Sequence, residues 1–119
     1  MLHIGVIGYG YWGPNIVRNF NALSGVHVPI VSDMAPASRQ RVCEDFPHIS
    51  VTGDYRDILS SKDIDAVAIV TPVSTHYPLA REALEKGKHV FVEKPFTATS
   101  PQAEELIELA ARKNLQIMV

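Results

Sequence analysis

The chain has 119 residues, 46% hydrophobic and 20% charged, with a formal net charge of -2; this is one domain, able to bury roughly two thirds of its unfolded surface, and its balance excludes a disordered polymer. It carries no basic excess, which argues against nucleic acid or an anionic membrane as a partner. Its only cysteine is Cys43, so an intrachain disulfide and a cysteine-cluster metal site are both excluded and a reducing, cytoplasmic setting is expected.

In chain order, the apolar run Leu2 to Ile7 passes into Gly8-Tyr9-Gly10-Tyr11-Trp12-Gly13 and then a helical pattern. A strand, a Gly-x-Gly-x-x-Gly turn and a helix N-terminus in that order form a phosphate-binding fingerprint. Gly8 permits the tight turn, Gly10 lets the main chain approach a pyrophosphate, and Gly13 lets helix and strand pack closely. Free N–H groups and the positive end of the helix dipole then face the anion. Pro14 fits a first turn, where its missing N–H would be unpaired anyway. Ile16, Val17, Phe20 and Leu23 are expected on the buried face of this helix, which Ser24-Gly25 ends.

The second apolar run, Val26 to Ser32, closes on Asp33, 20 residues beyond Gly13. An acid at that distance can accept hydrogen bonds from both adenosine ribose hydroxyls and disfavours a 2'-phosphate as a like charge, so NAD is expected over NADP. Arg39, a turn into the next helix, could swing toward such a phosphate, and a solvated loop acid is the plain alternative for Asp33. A helix runs from Pro36 to Phe46 and stops at Pro47, with Cys43 expected as a small buried hydrophobe. Ile49 to Thr52 is a short strand, and Asp54 caps a brief helix carrying Ile58 and Leu59.

Asp65 to Thr71 reads as a central strand, apolar on both alternating faces as a sheet covered by helices requires. Its longest wholly apolar stretch, Ala66 to Val70, is far too short to span a bilayer. After Thr71-Pro72, Ser74 or Thr75 caps a helix burying Leu79, Ala80, Ala83 and Leu84 and ending at Lys86-Gly87. His89 to Val92 is a fifth strand, followed by Glu93-Lys94-Pro95. Ser100-Pro101 opens the last helix, with Glu104 and Glu105 toward its positive end and Arg112 and Lys113 at its negative end, and Leu115 to Val119 is a sixth strand. The alternation implies an α/β Rossmann fold: a doubly wound parallel sheet, order 3-2-1-4-5-6, with helices on both faces. Its ligand rim lies at the C-terminal ends of the strands, where the glycine turn, Asp33, Thr71-Pro72 and Glu93-Lys94-Pro95 collect. His3, His27, His48 and His89 lack metal-ligand spacing, so no metal is expected.

The glycine turn, Asp33, Thr71-Pro72-Val73-Ser74-Thr75-His76 and Glu93-Lys94-Pro95 together resemble the N-terminal half of the glucose-fructose oxidoreductase, inositol dehydrogenase and MocA (Gfo/Idh/MocA) family, over essentially the whole chain. The resemblance implies an NAD-dependent oxidoreductase acting on a sugar, sugar nucleotide or polyol; a homo-oligomer is expected because a sheet face deprived of its partner domain would leave an apolar patch bare. The resemblance also implies that Tyr11 and Trp12 offer backbone N–H groups to the pyrophosphate, that Asp33 and Met34 line the adenosine end, and that Thr71, Pro72 and His76 border the nicotinamide half. It further implies that Glu93 and Lys94 approach the nicotinamide ribose, that the Lys94-Pro95 bond is cis, and that Lys94 is the catalytic lysine near the substrate oxygen. Beside these stand plainer readings: Lys94 as a surface lysine, His76 as a polar residue of a first helical turn, and the Tyr9, Tyr11 and Trp12 cluster as rim packing. Family members add a C-terminal domain whose Asp-x-x-x-His pair moves the substrate proton, and nothing here matches it. Residues 1-119 are therefore expected to be the cofactor domain, binding NAD with little or no turnover. A free-standing dinucleotide sensor or inactive interaction module is the second expectation. A methyltransferase is the third, although it leaves Glu93-Lys94-Pro95 unaccounted for.

Overall fold

In the computed structural model, which describes residues 1-119, six strands form one sheet in the order 3-2-1-4-5-6, and every neighbouring pair is parallel. The strands are β1 (Leu2–Ile7), β2 (Val26–Ser32), β3 (Ser50–Thr52), β4 (Ala66–Ile69), β5 (His89–Val92) and β6 (Ile117–Met118). Between them run α1 (Gly13–Asn21), α2 (Pro36–Asp45), α3 (Arg56–Leu59), α4 (His76–Glu85) and α5 (Ser100–Lys113), with a single 3-10 turn at Val73–Thr75 before α4.

The double covering follows from the central strand. All four residues of β4 are buried, and they alternate between two cores. Val67 and Ile69 join Ile58, Leu84 and Leu106 on one face, whereas Ala66 and Ala68 join Val17, Val31 and Val42 on the other. Period-two geometry thus sends branched residues to one side and alanines to the other. In β1, Gly5 has a specific reason: a Cβ there would lie 2.4 Å from Cγ2 of Ile58, which is fully buried. The missing side chain is the space that α3 occupies against the sheet.

Three expectations about burial and capping change. Cys43 is exposed, because α2 buries only Val42 and the next position is turned about 100° toward solvent. Leu23 is also exposed, since α1 stops at Asn21 before its face would be extended. Thr75 occupies the N-cap position of α4 without capping it; its hydroxyl donates to the Pro72 carbonyl at 2.6 Å and pairs with the Thr71 hydroxyl at 2.5 Å. At the other end of the chain, α5 begins as expected and Thr99 caps it, its hydroxyl accepting from Gln102 N.

Candidate functional site

The strands all point their C-terminal ends at one rim, and between β1 and β4 the chain leaves the sheet in opposite directions, opening a crevice. A cleft of about 540 Å³ lies there, lined by Gly8 and Gly10, by Asp33 and Met34 after β2, by Gly53 and Tyr55 after β3, by Thr71 and Pro72 after β4, and by Thr75, Pro78 and Leu79 at the start of α4.

The glycines of the turn have three different surroundings. Gly8 has φ +101, and a Cβ there would sit 2.5 Å from the Val70 carbonyl oxygen and 2.9 Å from the Thr71 methyl, so β1 and β4 can approach only with glycine in place. A Cβ on Gly13 would meet the Tyr9 ring at 3.1 Å. Gly10 differs from both: nothing in the protein lies within 4 Å of where its Cβ would be, although it lines the cleft. Packing therefore gives no reason for a glycine there, and the position is left open toward the cleft. The N-terminus of α1 adds the electrostatics, since no side chain caps it and no acid occupies its first turn. Its unpaired N–H groups are left for an anion.

Asp33 is fixed from below. Its Oδ2 accepts from Tyr9 N at 2.7 Å and its Oδ1 from Ala35 N at 2.8 Å. Each carboxylate oxygen keeps a second lone pair, so the group is oriented by the backbone and still able to accept from a diol. Tyr9 itself is fully buried and held at three points: through Asp33, through its carbonyl oxygen accepting from Arg41 Nη2 at 2.7 Å, and through its hydroxyl donating to Asp45 Oδ2 at 2.8 Å. Burial first, and then the Asp45 carboxylate, push its phenol well above the ordinary value near 10. Two helix-borne side chains thus tie the turn to α2. Arg39 donates from Nη1 to the carbonyls of Asp33 (2.9 Å) and Met34 (3.1 Å), which secures the bend that presents both residues.

Of the residues singled out from the sequence, Gly8, Gly10, Asp33, Met34, Thr71 and Pro72 meet in the cleft. Tyr11 and Trp12 are exposed on the outside of the turn, edge to face at 5.1 Å. Gly13 is buried behind them. Glu93 is half-buried and Lys94 exposed, both on the rim after β5 and outside the enclosed volume, and the Lys94-Pro95 bond is cis. His76 does not border the cleft in this structure; its ring is 1% exposed and both nitrogens face backbone carbonyls. Its place after the 3-10 turn points it into the protein.

Sequence reasoning missed Gly53, Tyr55, Pro78 and Leu79. The first two were within reach, because β3 neighbours β2 and the turn after it must share the same rim. Tyr55 is held in place by a 2.8 Å hydrogen bond from its hydroxyl to Glu82 Oε2 on α4.

The chain matches, over residues 2-119, the family model described as an oxidoreductase family with an NAD-binding Rossmann fold, GFO_IDH_MocA. It is 38% identical to the uncharacterized oxidoreductase YdgJ of Escherichia coli over 92% of this chain and 31% of that protein. It is 37% identical to a glycosyl hydrolase family 109 protein of Shewanella over 99% of this chain and 28% of that one. A 3-ketoreductase of Actinomadura kijaniata, crystallised with TDP-benzene and NADP, superposes with a TM-score of 0.89 at 30% identity, over 98% of this chain and 37% of that one. The chain therefore spans about a third of the length of the relatives it matches. With the sheet order, the glycine turn and the cleft in agreement, the chain belongs to the Gfo/Idh/MocA oxidoreductase family, as its NAD-binding Rossmann domain.

Proposed function

We propose that this domain binds NAD in the cleft beside the glycine turn and serves an oxidoreductase that moves hydride between NAD and a hydroxyl of a sugar, sugar nucleotide or polyol. The observation that carries the reading is the open space at Gly10. Around it stand the two groups a dinucleotide requires, an uncapped helix N-terminus for the diphosphate and a backbone-oriented carboxylate for the ribose. The residues present fit the cofactor.

Each group then has a defined task. The Gly8-to-Gly13 backbone and the first turn of α1 hold the diphosphate. Asp33 accepts from the adenosine ribose hydroxyls, and its charge sets NAD ahead of NADP, whose added phosphate would stand against a carboxylate. Met34, Tyr55, Pro78 and Leu79 give the adenine an apolar slot. Thr71 and Pro72 form the wall that leads toward the nicotinamide half, where Glu93 approaches the ribose. NAD when bound supplies the hydride-accepting carbon. Lys94, on the outer rim, is free to reach a substrate oxygen, steady negative charge there and align the reacting carbon. Nothing in this chain supplies the proton-transferring Asp-x-x-x-His pair. Since a general base contributes about a hundredfold to ten-thousandfold, the 119-residue chain should bind cofactor with little turnover.

Calorimetric titration with NADH, NADPH and S-adenosylmethionine tests the reading. NADH should bind most tightly. Preference for S-adenosylmethionine contradicts the oxidoreductase assignment, and tighter NADPH contradicts the role given to Asp33. Asp33→Asn should lower NADH affinity about tenfold, the loss of one charge-assisted hydrogen bond, and narrow the gap to NADPH.

A further inference from the structure

One buried residue of the rim is left without a task by that reading. His76 Nδ1 lies 2.8 Å from the Pro95 carbonyl oxygen, and Nε2 lies 2.8 Å from the Thr71 carbonyl oxygen. A carbonyl oxygen only accepts, and a neutral imidazole carries a single N–H. Both bonds can therefore close together only when both ring nitrogens are protonated. Turning the ring over brings no relief, because carbons would then face the oxygens at a separation well inside the usual C–H···O range of about 3.3–3.6 Å.

The two arms hold unequal segments. Thr71 is also secured by its own hydroxyl pairing with Thr75, and its methyl sits against Gly8. The segment after β5 has fewer hydrogen bonds: besides Phe96 packing on the core and Glu93 N donating to the Ile69 carbonyl, the hydrogen bond at Pro95 is what links it to the Thr71 turn. No charged side chain competes for the imidazole. Glu93 and Lys94 precede Pro95 and form neither a hydrogen bond nor an ion pair with the ring, and the 70-78 segment holds no charged residue besides His76. On α4, Arg81 pairs with Glu85 and with Glu105 of α5, while Glu82 accepts from Tyr55.

We propose that His76 is a positioning residue: as an imidazolium it clasps the Thr71-Pro72 turn to the Lys94-Pro95 segment, keeping the far wall of the cleft and the rim that carries Lys94 at the separation a dinucleotide needs. Losing one proton releases one arm. The effect on affinity rests on the cofactor reading above, whereas the clasp itself does not.

The test is 15N-edited NMR of the histidine-labelled 119-residue chain alongside NADH titrations across pH. Two protonated ring nitrogens are expected on His76 wherever NADH binds tightly. Loss of one of those protons should coincide with a threefold to tenfold weaker affinity, about the worth of one hydrogen bond. His76→Gln, whose carboxamide does not titrate, should bind NADH weaker by a similar factor and show no such pH dependence. A single protonated nitrogen at every pH of tight binding overturns the proposal, and so does a variant that keeps the wild-type pH profile. If the variant does not fold, the wild-type nitrogen shifts decide alone. Those shifts are read without cofactor, so a doubly protonated His76 in a chain with no affinity for NADH overturns the cofactor reading and not the clasp.

Discussion

Gly8 and Gly10 stand two residues apart in one turn and have opposite surroundings. At Gly8 the protein itself fills the space: with φ +101 and the Val70 carbonyl oxygen 2.5 Å from a would-be Cβ, Gly8→Ala should destabilise the fold by about 3 kcal/mol, from backbone strain and overpacking together. Chemical denaturation measures this, and a change under 1 kcal/mol would remove the steric account of the turn. Tyr9 between them adds a pH signature. Its phenol is held above the ordinary value near 10 by burial and by Asp45, so the folded state keeps a proton that the unfolded chain releases. The stabilisation is fully present below pH 10 and declines as pH rises beyond it, at up to about 1.4 kcal/mol per pH unit for one proton. In Tyr9→Phe that decline should be shallower, and equal slopes in the two proteins would contradict the assignment.

Among the elements, β4 was readable from its residues because a strand covered on both sides has only one solution, apolar at every position. The same logic gave the glycine turn and Asp33, whose spacing is fixed by the length of one βαβ unit. Burial on the surrounding helices was less legible. Cys43 follows Val42 in an apolar-looking stretch, yet α2 offers the sheet a stripe one residue wide, and only the packed structure shows which residue lies on it. His76 illustrates the same limit, because a polar residue at a helix start gives no sequence signal that two carbonyls from distant loops will converge on it. The fit of α3 onto the sheet depends on Gly5. Gly5→Ala would drive a methyl into the buried Ile58 side chain and should cost about 1–3 kcal/mol. Pairing it with Ile58→Ala, which removes the clashing Cγ2, should cost less than the sum of the two single losses, whereas strictly additive losses would show that the two residues do not share the space.

At the scale of the whole molecule, the cleft is assembled from the loops after β1, β2, β3 and β4 and from the start of α4, elements far apart in sequence that the 3-2-1-4-5-6 order brings to one rim. That explains why residues contributed by a single motif were foreseeable and those contributed by the start of α4, Pro78 and Leu79, were not. A groove lined by Ile16, Phe20, Leu23 and Phe91 leaves apolar surface open, the kind of surface through which the self-association expected from the sequence would proceed; light scattering at high concentration should show self-association, and a clean monomer would contradict that expectation. The central claim is that Gly10 is glycine for the sake of a ligand. Calorimetric titration of Gly10→Ala with NADH, set beside its thermal unfolding, tests it most directly. The account predicts unfolding within about 0.5 kcal/mol of the wild type, as expected of a substitution into open space, together with at least a tenfold loss of NADH affinity. Undiminished NADH binding by this variant would contradict it.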